Sequence, residues 1–421
     1  MASPGSWVLF LVCLIAALLA VPAASHTGVE TTFSLACSSA AFVGMGLSQF
    51  MATRAKPVEQ LFGGLDKVYA AHRKLGIAIF VLILAHYFIT PNFKGLALTS
   101  SLNELAGEIG EFAFYALVTL IVISLVSRIP KTRIELPYQF WRFTHRFIGV
   151  AFILVALHMN FIKRPFDSTA LLAVYLNIFA ALGVLSYLYT QFLAPMRRQA
   201  YEVAGIMPLD GATLIQAKPQ SRPVRIKPGQ FAFMRSTRKG LGEPHPFTVA
   251  GTKEDGSVLF AIKPLGDFTS RLRSDLQVGD KLTVEGGYGS FDYTRGQDRQ
   301  IWLAGGIGIT PFLAKASAMT AQETRNIHLV YAVRDKSEAV GLKTLQNAAE
   351  RVPGFSFTLH ESANGGGRLD AEKLAGYVPF EAKQAELWFC GPPGLRSAIV
   401  AGLKKIGKAP SKVKFEQFQF R

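Results

Sequence analysis

For almost two hundred residues, long apolar runs dominate the chain and charges are confined to the joints between them. Six runs are candidate membrane spans: 7–24, 34–53, 75–90, 112–127, 147–161 and 170–193. A hydrocarbon core about 30 Å thick asks for roughly 20 residues of helix. The two runs that carry histidines approach that length once their flanking turns are included. Small residues Ala23, Ala24 and Ser25 end the first run, as in a signal peptide. No Lys or Arg precedes it, however, and it is read as a retained helix.

The period changes near residue 196. Short β-type runs follow, among them "YEVAGIM", "TLIQAK", "GQFAFMR", "HPFTVAGT", "SVLFAIKPL" and "DKLTVEGGYGSF", separated by Gly and Pro. With one helical stretch at 269–276 they predict a small antiparallel barrel over 196–296. From 297 to 421 strands and helices alternate. "QIWLAGG" leads into "ITPFLAKASAMT", then come "IHLVYAVR", a helical stretch at 343–350, "FSFTLHE", "AELWFCG" and "LRSAIVAGLKKIG". That alternation predicts a doubly wound parallel sheet. The fold expected is a membrane all-α bundle of six spans over 1–195, then an antiparallel β-barrel, then an α/β domain.

Charge orients the bundle. The net charge is +16 over 421 residues. Residues 1–195 hold 13 basic and 8 acidic side chains, and 196–421 hold 32 and 21. Arg54, Lys56, Lys67, Arg128, Lys131, Arg133, Arg197 and Arg198 fall in alternate joints, whereas Lys94, Lys163 and Arg164 share the other side with Glu104, Glu108 and Glu111. By the positive-inside rule the first set and the soluble half are cytoplasmic. The soluble half is basic but carries no nucleic-acid-binding motif, so no nucleic acid partner is expected. An anionic cofactor and an anionic lipid bilayer account for the charge. Three cysteines are too few for an iron–sulfur cluster or a disulfide framework.

The candidate chemistry in the bundle is imidazole. His72 and His86 stand 14 residues apart on one apolar segment, His145 and His158 13 apart on another. An ionisable residue inside a membrane is a functional hypothesis. Antiparallel helices would face His72 to His145 at the inner side and His86 to His158 at the outer side. At about 1.5 Å per residue the two pairs lie roughly 20 Å apart. Imidazoles on both faces of an iron make a six-coordinate b-type haem suited to electron transfer. Zinc is the other metal such ligands take, although the carboxylates or thiolates that often complete zinc sites are missing from these runs. Fourteen residues nearly return to one helix face, but thirteen miss by about 140°. The second segment therefore needs a distortion, for which Gly149 is the candidate. Arg73, Lys74, Arg142 and Arg146 flank the inner pair and suit either haem propionates or interface anchoring.

In the soluble half "GGIGITP" (Gly305 to Pro311) ends one strand and "CGPPG" (Cys390 to Gly394) another. Glycines let backbone approach a pyrophosphate, and Pro311 suits a first helical turn. Together with the four histidines, "HPFT", "WFCGPPG" and the terminal "FEQFQF", these motifs resemble the ferric reductase/NADPH oxidase family over about residues 34–421. The likeness is to a bacterial-type flavocytochrome b with a ferredoxin-reductase-like module.

The resemblance implies FAD, two b haems and NADPH as cofactors. It implies that His245, Pro246, Phe247 and Thr248 bind FAD, with Phe247 against the flavin and Thr248 bonded to its ring. Lys263, Gly266 and Thr269 would surround the FAD pyrophosphate. Gly306, Gly308, Thr310 and Pro311 would line the nicotinamide nucleotide's phosphates, and Cys390 and Gly391 would lie beside the nicotinamide. Phe418, with Phe420 close behind, would cover the flavin as the C-terminal aromatic. Arg334, at the end of the second strand of the sheet, could reach a ribose 2′-phosphate and favour NADPH.

The activity implied is NAD(P)H oxidation with electrons carried outward across a membrane, in a bacterial inner membrane with the soluble domains in the cytoplasm. A ferric chelate is the expected acceptor, drawn by Lys94, Lys163 and Arg164. Dioxygen, giving superoxide, is the alternative, as is a periplasmic redox partner served by an electron-donor subunit.

Overall fold

A computed structural model describes residues 3–89, 101–126 and 138–416. The chain divides into two compact units, Met1–Met196 and Arg197–Arg421.

Among the described residues of the first unit six helical segments are long and apolar enough to cross a membrane. Helix α1 (Pro4–Ala24) starts on Ser3, whose side chain accepts from the Ser6 amide, with proline in the first turn. Helix α2 (Val29–Ala52) is the most enclosed: Phe42, Val43 and Met45 are buried against α1 and later helices. A short helix, α3 (Lys56–Phe62), was not anticipated. It stops at Gly63, which takes the left-handed conformation that glycine adopts without strain. Helix α4 (Leu65–Phe88) begins ten residues before the 75–90 run, because a polar first turn precedes the apolar stripe. Helix α5 (Asn103–Leu125) and the short helix α6 (Tyr138–His145) follow.

Helix α7 (Phe147–Phe161) is separated from α6 by Arg146. There the Arg146 amide donates to the Phe143 carbonyl at 3.3 Å and the Gly149 amide to the Arg146 carbonyl at 3.2 Å, both spaced by three residues. The distortion demanded by the 13-residue spacing thus sits at Arg146, not Gly149. A side chain at Gly149 would overlap the Tyr187 ring, so its smallness serves packing. Helix α8 (Leu171–Leu188) runs on into a π-helical turn, Tyr189–Leu193. Gly46 on α2 and Gly183 on α8 let the two backbones approach: a Cβ on Gly183 would lie 2.9 Å from the Gly46 Cα.

The second unit opens with a closed barrel of strands β1 (Gln199–Pro208), β2 (Thr213–Pro219), β3 (Phe231–Ser236), β4 (His245–Thr252), β5 (Val258–Ile262) and β6 (Lys281–Tyr288). Their order is β1-β2-β5-β4-β3-β6, and all the pairings are antiparallel. Alternate residues such as Tyr201, Val203, Ile215 and Phe260 fill the interior, each burial being worth about 1.5–3 kcal/mol. Helix α9 (Asp267–Asp275) follows β5.

A parallel sheet comes next, from β7 (Arg299–Gly305), β8 (Asn326–Val333), β9 (Phe355–Glu361), β10 (Glu386–Cys390) and β11 (Lys412–Phe415). The order is β11-β10-β7-β8-β9, every neighbour parallel. Helices α10 (Thr310–Ala318), α11 (Leu342–Arg351), α12 (Ala371–Tyr377) and α13 (Pro393–Lys405) connect the strands. The chain leaves β7 toward β8 on one side and returns as β10 on the other. The ligand crevice of such a sheet lies at that reversal, outside the carboxyl ends of β7 and β10.

Candidate functional site

The four bundle histidines form two pairs. His72 on α4 and His145 at the end of α6 have ring centroids 6.1 Å apart, with planes inclined by 60°. Metal–imidazole bonds of about 2.0–2.1 Å would put two rings on opposite sides of one metal about 6 Å apart, so the pair fits an iron between them. His86 on α4 and His158 on α7 lie close enough to interact electrostatically.

In every ring Nδ1 has a partner. Ser34 Oγ lies 2.8 Å from His86 Nδ1, Ser124 Oγ 2.9 Å from His145 Nδ1, and Ser48 Oγ 3.4 Å from His72 Nδ1. The Ala106 carbonyl is 2.7 Å from His158 Nδ1. A carbonyl can only accept, so His158 donates from Nδ1 and its Nε2 is the nitrogen left for a metal. Gly110 on α5 makes room for this ring, since a Cβ there would overlap it. Among the described residues no group of three or more His, Cys, Asp and Glu side chains gathers at either pair.

In the barrel the "HPFT" residues lie on β4, with Thr248 opposite Phe231 and Phe247 opposite Ala232 on β3. Thr248 is buried, and its hydroxyl has no hydrogen-bond partner among the described residues. A buried hydroxyl without a partner is costly, and one bond to a flavin ring would satisfy it. Phe247 packs on the barrel core near Phe260 and Phe268. His245 stacks on Phe268 with centroids 3.8 Å apart and reaches Glu243 at 3.2 Å. Pro246 sits opposite Phe233.

Gly266 precedes α9, whose amino end suits a phosphate. The Thr269 hydroxyl accepts from the Leu265 and Gly266 amides at 2.9 and 3.1 Å, so it shapes this turn. Lys263 pairs with Glu338 at 3.3 Å.

At the sheet reversal the two glycine loops meet. A Cβ on Gly308 would overlap the Cys390 carbonyl, and one on Gly391 would lie 2.9 Å from the Gly305 amide nitrogen. Gly306 has φ +54° and open space where a side chain would stand, leaving backbone free to face a phosphate. Thr310 is buried and donates to the Ile307 carbonyl at 3.2 Å, and Pro311 lies in the first turn of α10. Cys390 is fully buried, and burial raises its thiol well above the ordinary cysteine range, keeping it neutral. Arg334 is exposed just after β8. Phe418, Phe420 and Lys94 lie outside the described residues. Arg164 is half-buried with its guanidinium 5.2 Å from the Phe166 ring centre.

Sequence reasoning missed the serines, Gly110 and Lys315. Lys315 is fully buried on α10 in a box of aromatics, its Nζ 3.9 Å from the centre of Phe291 and 4.9 Å from that of Trp388. Burial lowers its pKa to about 7, against attraction from Glu416 and Asp292. "FLAKASA" carries no signal of this, because a lone lysine in a short helix reads as part of a solvated face.

Residues 37–156 match the family model of the ferric reductase like transmembrane component. Residues 202–300 match an FAD-binding domain, and 302–401 an oxidoreductase NAD-binding domain. These define the class: an integral membrane protein with a ferric-reductase-type transmembrane domain and a module of FAD-binding and oxidoreductase NAD-binding domains. The chain belongs to the ferric reductase/NADPH oxidase family, with a ferredoxin-reductase-like module.

The module is similar to the toluate 1,2-dioxygenase electron transfer component of Pseudomonas putida, 29% identical over 45% of this chain and 58% of that protein. It is also similar to NADH–cytochrome b5 reductase 1 of Arabidopsis thaliana, 33% identical over 46% of this chain and 72% of that protein. The chain spans 58% and 60% of the length of the two dioxygenase components it matches. A flavohemoglobin from Malassezia yamatoensis, solved with FAD and heme, shares the fold with a TM-score of 0.50 at 18% identity, over 95% of this chain and 99% of that one.

Proposed function

We propose that the protein passes electrons from NADPH through FAD and two b haems to an acceptor on the outer face of a bacterial inner membrane, with a ferric chelate as the favoured acceptor. In this reading residues 1–195 hold the haems, 196–296 the FAD and 297–421 the nucleotide, and the soluble domains are cytoplasmic. The observation that carries it is the pairing of His72 with His145 at a spacing suited to a metal, each of the four candidate ligands having a partner at Nδ1.

Two electrons leave each NADPH as a hydride, and the bound flavin and haems supply their division and single-electron relay. The balance is one NADPH and two ferric ions giving NADP⁺, one proton and two ferrous ions. The chain's own residues position these groups. His72 and His145 would ligate the inner iron, His86 and His158 the outer one. Thr248 would bond the flavin ring, with His245, Pro246, Phe247, Lys263, Gly266 and Thr269 forming its strand and its pyrophosphate turn. Gly306, Gly308, Thr310 and Pro311 would receive the nucleotide's phosphates and Arg334 its 2′-phosphate. Cys390 and Gly391 would flank the nicotinamide, and Phe418 would cover the flavin until it arrives.

A haem held by His86 and His158 would supply single-electron delivery at the outer side, and an anionic chelate could receive the electron there without a shaped pocket. Lys94, Lys163 and Arg164 would attract it over about 10 Å at 0.1 M salt. A second reading, a donor subunit for a periplasmic partner enzyme, is favoured by the similarity to proteins named electron transfer components. The test is purified protein with NADPH, assayed in parallel for ferrous iron and superoxide with ferric citrate, at low and high salt. Ferric reduction that falls with salt is expected. Superoxide taking nearly all electrons in the presence of chelate would replace the acceptor, and no turnover without a partner would favour the second reading.

A further inference from the structure

The four candidate ligands are not held alike. His72, His86 and His158 each lie within a continuous helix. His145 is the last residue of α6, on the far side of the Arg146 break from α7. The helix that carries His158 therefore does not fix the direction of His145.

A network from α5 and α6 does so instead. Ser124 donates its hydroxyl hydrogen to the Leu120 carbonyl at 2.6 Å. With its one hydrogen used, Ser124 Oγ offers a lone pair to His145 Nδ1 at 2.9 Å. Nδ1 must then carry the hydrogen, and Nε2 is left bare. Trp141, one turn before His145, lays its indole on the imidazole with centroids 5.0 Å apart and planes 21° from parallel. The same indole donates from Nε1 to the Ser124 carbonyl at 3.2 Å. One serine thus touches the ring through its side chain and anchors the stacking ring through its backbone. Among the described residues no other histidine of the bundle has both a bonded Nδ1 and an aromatic ring stacked face to face on it.

We infer that Ser124 and Trp141 are positioning residues for His145: the serine fixes its tautomer and strengthens it as a donor, and the tryptophan fixes its plane. This rests on the proposed haem reading. The clamp is the counterpart of the 13-residue spacing. Where the helix cannot carry both ligands on one face, a break frees the first and neighbouring side chains aim it. A hydrogen bond accepted from Nδ1–H makes the imidazole a stronger donor and favours the oxidised iron. Removing the bond should raise the inner haem's potential and leave the outer one alone.

The experiment uses full-length protein in detergent, with haem content measured before anything else. The readouts are a potentiometric titration and low-temperature electron paramagnetic resonance of the ferric protein. Ser124→Ala should make reduction of one haem about tenfold more favourable, about 59 mV for one electron, and Ser124→Thr should restore it. Trp141→Leu should shift or broaden one low-spin signal, which reports the angle between ligand planes, with less effect on potential. Ser38→Ala, whose hydroxyl bonds the Leu35 carbonyl of its own helix, is the control and should change neither. Wild-type protein without haem would overturn the proposed function itself. Two haems present in Ser124→Ala and Trp141→Leu, with potentials and signals unchanged, would overturn the clamp alone. If Ser124→Ala does not fold, Ser124→Thr with wild-type potentials and a changed signal in Trp141→Leu sustain it, and an unchanged signal overturns it.

Discussion

In the helical unit the candidate ligands are side chains, and each is aimed by a group from another helix: serines of α2 and α5, and a carbonyl of α5. In the unit Arg197–Arg421 the candidate nucleotide site is mostly backbone, made where two glycine loops touch at the ends of adjacent parallel strands. The contrast follows from solvent. Inside a bilayer the backbone must satisfy itself within helices, so only side chains can reach a cofactor. At a strand end the amides are free, and glycine lets them approach an anion. The same substitution should therefore fail differently in the two halves.

Glycine to alanine tests that contrast with the largest expected effect. Gly110→Ala puts a methyl group where the His158 ring lies. It should remove or severely perturb the outer haem, seen as loss of about half the haem absorbance, while NADPH still reduces the flavin. Gly308→Ala puts one against the Cys390 carbonyl. It should leave haem content intact and raise KM for NADPH about tenfold or more. Loss of haem in Gly308→Ala, or a purely nucleotide-binding defect in Gly110→Ala, would break the comparison.

Lys315 sharpens the comparison from the module side, where a charged group is buried without a cofactor to explain it. Its folded pKa is lowered to about 7 from 10.5. Between those values the unfolded chain holds one more proton than the folded chain, so folding stability from this group rises with pH across about 7 to 10.5. Below about pH 7 the whole penalty remains, on the order of several kcal/mol at about 1.4 kcal/mol per unit. Thermal unfolding followed by flavin release should show a rise with pH that Lys315→Met lacks. Identical profiles in the two proteins would contradict the buried charge.

The smallest effect belongs to Arg334, exposed after β8. A charge-assisted contact to a 2′-phosphate is worth about 1.5–3 kcal/mol. Arg334→Ala should lose about tenfold in NADPH efficiency and little with NADH. Equal efficiency with both nucleotides in the wild type, unchanged in the variant, would remove its role.

Much of the architecture was legible because its signals are local. Apolar runs and β-type runs separated by glycines led to the bundle, the barrel and the parallel sheet, and the 13-residue spacing of His145 and His158 required a distorted helix. Which residue breaks was not legible. Gly149 has the composition of a kink, but its small size is used against Tyr187, and the break falls at Arg146. The serines on Nδ1 were illegible for another reason. Ser34, Ser48 and Ser124 are 52, 24 and 21 residues from their histidines, and nothing in a lone serine within an apolar run marks its partner. Lys315 and the Lys263–Glu338 pair likewise depend on tertiary packing.

The central claim is that the four histidines hold two six-coordinate haems. The most direct measurement is haem per chain by pyridine haemochrome, with the ferric spin state, on purified wild-type protein and His86→Ala. Two low-spin b haems in the wild type are expected, and one in His86→Ala, which should keep NADPH-dependent flavin reduction but lose electron delivery to the outer acceptor. One haem or none in the wild type, or two unaltered haems in His86→Ala, would contradict it.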